Sequence, residues 1–306
     1  MSSNAFVAFT SSVNPVATRI ERLPPIVLVF GGPLGGAHAS ARQMFLNWLL
    51  AKNHPIGRFA RTPEEFQDWN NFEGYGNLID FERDAACLSK TIVLFSESAG
   101  SFAELGAFCM DKILAERLFV VIGAEYYAAE SFIAHGPIKK IEHHHGAAIC
   151  VVESIKPEQI QAELDSVVQE LSEAIDRIPK TTSFDPSRER DQFLLAADLV
   201  ELFGALTVRE LRELMTAMGV DDISLARLQQ VVKQLERFEL IQCVDKLTKR
   251  YLVSPSDRQS YLNYESKKDE PPFDRARFKF KHSIPWLKKD SIRKQAYQAI
   301  HPKGLL

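Results

Sequence analysis

The sequence predicts an α/β protein: a doubly wound parallel sheet, then a smaller helical unit that ends in a basic segment. Three observations carry this. Short β-branched runs alternate with segments of helical apolar spacing between residues 26 and 176. Past a polar, proline-containing stretch at 177–191 the pattern changes to closely spaced amphipathic helices. The charge splits as well: residues 246–306 hold 15 Lys and Arg against 6 Asp and Glu, a balance of +9, although the whole chain of 306 residues sums to −3. A basic tail on an acidic body suits a polyanion or an acidic protein face as the tail's partner.

Element by element, residues 1–25 read as a polar lead-in. PPIVLVFGG is a buried strand framed by Pro24-Pro25 and Gly31-Gly32, and ASARQMFLNWLLAK from Ala39 has helical spacing. A helix around NLIDFERDAACLSK, a strand over Thr91–Phe95, a helix SFAELGAFCMDKILAE, a strand over Arg117–Gly123, a strand over Ala147–Glu153 and a helix from Pro157 complete residues 26–176. Strands that are apolar on both faces belong to a parallel sheet covered on two sides. After the linker at 177–191, residues 192–255 hold DQFLLAADLVELFGAL, a second helix with Thr207 as its N-cap, and a third starting near Ser224. IQCVDKLTKRYLVS then reads as two strands about a polar turn, which gives the outline of a winged helix-turn-helix. Residues 256–306, rich in Lys, Arg, Tyr and Phe and without core periodicity, read as an extended arm.

Composition narrows the classes. With 45% hydrophobic and 25% charged residues the chain is an ordinary globular protein, and it has no apolar run near the ~20 residues of a membrane span. The start lacks a basic region followed by a long apolar run, so a cytoplasmic location is expected. Cys87, Cys109, Cys150 and Cys243 stand singly in apolar surroundings, as buried thiols do in a reducing compartment. His143, His144 and His145 are consecutive and cannot converge on one tetrahedral ion, so no metal is expected.

In open α/β sheets ligands bind beyond the carboxyl ends of strands. Two loops there draw attention. In FGGPLGG (Phe30–Gly36), Gly31, Gly32 and Gly35 let backbone approach a phosphate or ribose, and the following helix offers N–H groups to an anion. The spacing is neither a Walker A loop nor GxGxxG. In SESAGSFAELGAF (Ser96–Phe108), Gly100 and Ser101 form the turn into a helix that carries Glu104 about one turn inside, where the dipole would keep a carboxylate ionised. Such a carboxylate can attack an anomeric carbon or stabilise an oxocarbenium ion. Glu97 flanks the loop as a candidate for a ribose hydroxyl. Asp80 and Glu82 lie on the preceding helix, and Asp80 is the one expected to reach the sugar.

Nucleic-acid contacts are expected from Lys233 and Arg237 on the third helix, Lys246, Lys249 and Arg250 in the hairpin, and Arg275, Arg277, Lys279 and Lys281 in the arm. Tyr261, Tyr264, Phe273, Phe278 and Phe280 would stack on unpaired bases.

The run G-S-x-x-E-x-G at Gly100–Gly106, after a buried strand and paired with a GGPL loop, resembles the nucleoside 2-deoxyribosyltransferase superfamily. That resemblance implies Glu104 as the nucleophile that cleaves an N-glycosidic bond. Six residues earlier, where those enzymes often carry an Asp, stands Ser98, the position the resemblance would place near base or sugar. Over its full length, with the helical unit and basic arm, the chain resembles the effector proteins of bacterial retrons. This implies a toxin-like enzyme held by a reverse transcriptase and its multicopy single-stranded DNA (msDNA), active in phage defence and oligomeric. The reaction implied is hydrolysis of a nucleotide, foremost NAD to nicotinamide and ADP-ribose, with no further cofactor. A different class stays open: a DNA-binding regulator whose α/β unit senses a nucleotide without turnover. A phosphoribohydrolase of the lysine-decarboxylase-like group would need a PGGxGTxxE loop, and ESAGSFAE lacks Pro-Gly-Gly.

Overall fold

The computed structural model describes residues 4–35, 39–65, 75–144, 148–255 and 259–302. It divides into two compact units, residues 24–178 and residues 1–23 with 179–306. The chain opens with helix α1 (Asn4–Ser12) and strand β1 (Val13–Ile20), which belong to the second of these.

The unit of residues 24–178 then runs β2 (Val27–Phe30), α2 (Ala41–Ala51), β3 (Ala60–Arg61), α3 (Leu78–Leu88), β4 (Thr91–Phe95) and α4 (Ala99–Phe108). It continues through α5 (Lys112–Ala115), β5 (Leu118–Gly123), α6 (Ala124–Tyr127), α7 (Lys139–His144), β6 (Ala148–Val152), α8 (Pro157–Ile160) and α9 (Leu164–Arg177). The five strands form one sheet in the order β3-β2-β4-β5-β6, and every pairing is parallel. All residues of β2, β4 and β5 are buried, as a sheet covered on both faces requires. Alternation assigns the faces. Val27, Val29, Val93, Phe95, Phe119 and Val121 pack with Phe45 and Leu49 of α2 and with Leu164, Val167 and Leu171 of α9. On the other face Phe30 meets Phe108 of α4 edge-on, with ring centroids 5.0 Å apart. Counted within the unit, the strand order is 2-1-3-4-5, and the direction of winding reverses between β2 and β4. That switch point is where ligands bind in doubly wound sheets.

The other unit contributes β7 (Thr182–Ser183), α10 (Glu189–Phe203), β8 (Ala205–Leu206), α11 (Val208–Ala217), α12 (Leu225–Arg237), β9 (Gln242–Lys246), β10 (Lys249–Val253) and β11 (Leu262–Ser266). A helical run follows, comprising α13 (Arg275–Phe278), a π-helical turn Lys279–Ser283 and α14 (Ile284–Lys289), and then α15 (Ser291–Ile300). Thr207 caps α11 in a reciprocal box with Glu210, and Ser224 caps α12. Gly204 ends α10 at φ +85, a conformation open to glycine. The antiparallel order β8-β10-β9 joins the hairpin to a strand that periodicity did not reveal.

Two expectations are corrected here. Residues 1–25 are not a separate lead-in, because β1 lies between β11 and β7 in an antiparallel sheet. That pairing also places a strand inside the expected linker. Nor is 256–306 an extended arm. Its aromatic residues close a core in which Phe9 packs on Tyr264 at 5.1 Å and Phe203 on Phe278 at 5.8 Å, so Tyr261, Tyr264 and Phe278 are buried instead of offered to bases. Strand and helix periodicity is blurred when five-residue elements bury their aromatics on neighbours distant in sequence. Among the described residues, no helix is long and apolar enough to cross a membrane.

Candidate active site

The switch point brings the two singled-out loops together through one side chain. Glu97 follows β4 and turns its carboxylate across to the end of β2. Its Oε1 accepts from Gly32 N at 2.8 Å and Arg42 N at 3.1 Å, and its Oε2 accepts from Ala41 N at 2.6 Å. Ser40, the N-cap of α2, accepts from Gln43 N at 3.0 Å. The N–H groups expected to receive a ligand anion are therefore taken by the protein's own carboxylate, which satisfies the helix end and its dipole at once. The two glycines make this seating possible. A Cβ on Gly32 would stand 2.9 Å from the Glu97 carboxyl carbon, and one on Gly31, at φ +152, would stand 3.0 Å from Glu97 Oε1. Gly35, at φ +71, faces open space, and Gly36 lies outside the described residues.

Ser98 and Ser101 belong to the start of α4. Ser98 is the N-cap and accepts from Ser101 N at 3.2 Å, while Ser101 Oγ accepts from Ser98 N at 2.9 Å and from Glu97 N at 3.0 Å. Helix α4 thus begins at Ala99, ahead of the expected Gly100–Ser101 turn. Glu104 falls in its second turn, where the helix dipole has faded. Burial governs instead. The Glu104 carboxyl is pushed up from the ordinary 4.5 to about 7 by desolvation, held down by the Arg42 guanidinium and raised further by Glu64. The expectation of a firmly ionised Glu104 is corrected accordingly. Its Oε2 is buried and has no hydrogen-bond partner among the described residues.

Helix α3 supplies a second carboxyl, but not the one expected. Asp80 is exposed and occupied at the helix start, where its N–H donates to Asn77 Oδ1 at 2.9 Å and its Oδ2 accepts from Asn77 Nδ2 at 2.9 Å. Two residues further on, about 200° around the helix, Glu82 is buried. Desolvation raises the Glu82 carboxyl from 4.5 to about 8, with further upward pushes from Glu104 and Glu64. The next inward carboxyl, Asp84, is buried and accepts from Tyr75 Oη at 2.5 Å.

Arg42 holds the group together. It is buried, and its guanidinium donates to Glu64 at 2.6 and 3.1 Å and to the Val29 carbonyl at 3.4 Å. Neither Arg42 nor Glu64 was singled out from the sequence. An Arg at the second position of an otherwise apolar helix face was the available signal. The cluster sets two carboxyls near neutrality beside one guanidinium. Coupled carboxyls of this kind divide into one that keeps a proton and one that releases it. A methyl group on Gly100 would stand 3.8 Å from Ser98 Oγ, an ordinary contact, so that position does not demand glycine. His143 is exposed, while the His144 side chain and His145 lie outside the described residues.

The nucleic-acid candidates divide sharply. Arg275 pairs with Asp198 and, at 2.5 Å, with Glu201, and Lys279 also pairs with Glu201, so both are spent inside the unit. Arg250 is held by Asp245 at 2.8 and 2.9 Å. Lys233, Arg237 and Lys246 are half-buried, whereas Lys249, Arg277 and Lys281 are exposed.

The chain is 32% identical over 154 residues to the Escherichia coli protein named "Retron Ec73 putative ribosyltransferase/DNA-binding protein", covering 46% of this chain and 49% of that one. It is 34% identical over 114 residues to the protein of the same description from retron Ec86 of Escherichia coli, covering 37% of this chain and 36% of that one. The chain therefore spans about half or less of the length of these relatives. Residues 38–243, most of the sequence, match the family described as STM3845 retron effector protein, and to that family of retron effectors the chain belongs.

Proposed function

We propose that the chain is the toxin-like effector of a retron and cleaves the N-glycosidic bond of a nucleotide, NAD being the foremost substrate. The observation that carries this reading is the buried Oε2 of Glu104, beside the switch point of the sheet and without a hydrogen-bond partner among the described residues. Further support comes from the ribosyltransferase in the relatives' names. In the proposed step a Glu104 oxygen bonds to C1′ of the ribosyl group, and the C1′–N bond breaks with its electron pair going to the base nitrogen. Nicotinamide is cationic in NAD and leaves as a neutral molecule, so no proton is needed. That fits a site in which Ser98 caps a helix where the transferases often carry an Asp. Water then attacks C1′, the C1′–Oε bond breaks with its electron pair returning to Glu104, the water's proton passes to solvent, and ADP-ribose is the product. A fixed carboxylate facing a developing sugar cation is electrostatic preorganisation.

The second unit we read as the part that meets nucleic acid. Three helices and the sheet β8-β10-β9 have the make-up of a winged helix, and DNA-binding appears in the relatives' names. On this reading the effector sits in the cytoplasm with reverse transcriptase, msDNA and further copies of itself, and the isolated chain is inert. The other class of function, a nucleotide-sensing regulator, is favoured by the basic exposed residues but leaves the Glu82–Glu104 pair without use.

Liquid chromatography of NAD incubated with the assembled complex tests both. Release of nicotinamide that disappears in Glu104→Gln is expected. NAD bound tightly but returned intact would establish the regulator.

A further inference from the structure

The helical run over residues 275–289 has two faces of opposite character. One is sunk into its own unit: Phe278, Ser283 and Leu287 are buried, and Arg275 and Lys279 turn onto Asp198 and Glu201. The other consists of residues 276, 277, 280, 281, 285, 288 and 289, all exposed. It carries Arg277, Lys281, Lys288 and Lys289 and no carboxylate. In its middle stands Phe280, 75% exposed. Helical spacing makes these positions one continuous strip, roughly 18 Å long at 1.5 Å per residue. Beside it, Arg277, Lys281 and His282 line a groove of about 190 Å³ together with Phe273. The acids of that groove are Glu270 and Asp274, and Asp274 accepts from the Arg277 backbone N at 2.9 Å as the cap of α13.

A solvated polar face would have Lys and Arg mixed with Glu and Asp, and it would have no use for a phenyl ring at its centre. A row of cations about an exposed aromatic is the chemistry of an unpaired strand, whose phosphates seek the charges and whose bases have a free π-face. A duplex hides its base faces in the stack and offers Phe280 nothing. By contrast, α12 exposes Gln229 and Glu236 and keeps Lys233 and Arg237 half-buried.

We propose that the exposed face of residues 276–289 binds single-stranded nucleic acid, with phosphates against Arg277, Lys281, Lys288 and Lys289 and one base stacked on Phe280. This deepens the nucleic-acid part of the proposed function and rests on it.

The test uses the full chain and a labelled, mixed-sequence DNA oligonucleotide, single-stranded or as a duplex of the same length, titrated at several KCl concentrations. Phe280→Ala is expected to weaken single-strand binding about tenfold, within the range for loss of one stacked base. Duplex binding and the melting temperature stay unchanged, since the ring is exposed. Lys288→Gln with Lys289→Gln lowers the salt slope by about 0.7 per charge removed, and Lys233→Gln leaves the slope alone. The proposal is overturned if the wild type binds no single strand, if Phe280→Ala binds like wild type, or if duplex and single strand suffer equally. It is also overturned if polyglutamate displaces the oligonucleotide as well as unlabelled DNA does. Single-strand binding that survives in every variant rejects this face and leaves nucleic-acid binding elsewhere on the chain standing.

Discussion

Glu97 Oε2 lies 2.6 Å from the backbone nitrogen of Ala41, so the N-terminus of α2 is closed by a carboxylate from the neighbouring strand's loop. Helix N-termini beside glycine loops commonly receive phosphate. Here the anion is internal, and it fastens the β2 loop, the β4 loop and the backbone of Arg42 to one another.

Removing it has a defined consequence. Glu97→Ala leaves the N–H groups of Gly32, Ala41 and Arg42 without their acceptor, and hydrogen bonds to a charged group are worth ~1.5–3 kcal/mol each where no water replaces them. With partial hydration the expected loss is about 3 kcal/mol. Inorganic phosphate restores part of the melting temperature of this variant and does nothing to the wild type. An equal response of both proteins to phosphate would contradict the internal-anion account.

The raised carboxyls of Glu82 and Glu104 set a pH dependence of stability. Their folded values, about 8 and about 7, lie above the ordinary 4.5, so between these limits the folded chain holds more protons than the unfolded one. Stability is therefore greatest below pH 4.5 as far as this pair is concerned. It declines as pH rises from 4.5 and becomes flat once pH has passed the folded values of about 7 and about 8. Chemical denaturation across that range should show it, and Glu82→Gln with Glu104→Gln should flatten the curve and raise stability at pH 8.

The same two groups divide the rate profiles of two substrates. Attack on C1′ needs an ionised Glu104, so NAD cleavage by the assembled complex rises with an apparent pKa of about 7 and then stays level. An uncharged purine nucleoside needs a proton on its leaving base. Its cleavage falls again above about 8 as Glu82 deprotonates, and Glu82→Gln removes the productive window for it while sparing NAD. Identical profiles for both substrates would remove Glu82 from proton transfer.

The sheet was legible because its signal is local. Runs such as Val27–Phe30 and Ile92–Phe95 are apolar on every residue, and a two-sided parallel sheet is what buries such runs. Thr207 and Ser224 were legible as caps for the same reason: the capping bond spans three residues. The strands Ala60–Arg61, Thr182–Ser183 and Ala205–Leu206 were not, since two residues have no period and their pairing partners are far along the chain. In the candidate site, Glu104 and Glu97 could be marked from their loops. The preference for Asp80 over Glu82 failed because a helix in isolation does not reveal which side is sunk. Arg42 went unnoticed for a related reason: its burial depends on Glu64, twenty-two residues on and across the sheet edge. The basic tail misled in the opposite sense. Charge summed over a segment does not distinguish a cation facing solvent from one facing Asp198.

That distinction yields a last prediction. Arg275 reaches Asp198, Glu201 and the Leu262 carbonyl, and its guanidinium lies 5.3 Å from the Tyr264 ring centre. Asp198 is buried and also accepts from Tyr261 N at 2.6 Å and Leu262 N at 3.1 Å, which seats β11 against α10. Arg275→Ala would leave that carboxylate buried without its counter-charge, a change that costs ~3–5 kcal/mol. Arg277→Ala, on the opposite face and exposed, should leave the stability within about 0.5 kcal/mol of wild type, as exposed substitutions do. In oligonucleotide titrations carried out well below the melting transition, the order reverses. Arg277→Ala lowers the salt slope of binding, whereas Arg275→Ala, if still folded by circular dichroism, keeps it, because a cation committed to Asp198 and Glu201 releases no counterions from DNA. A salt slope reduced by Arg275→Ala in a folded sample would show instead that the ion pairs open to admit phosphate.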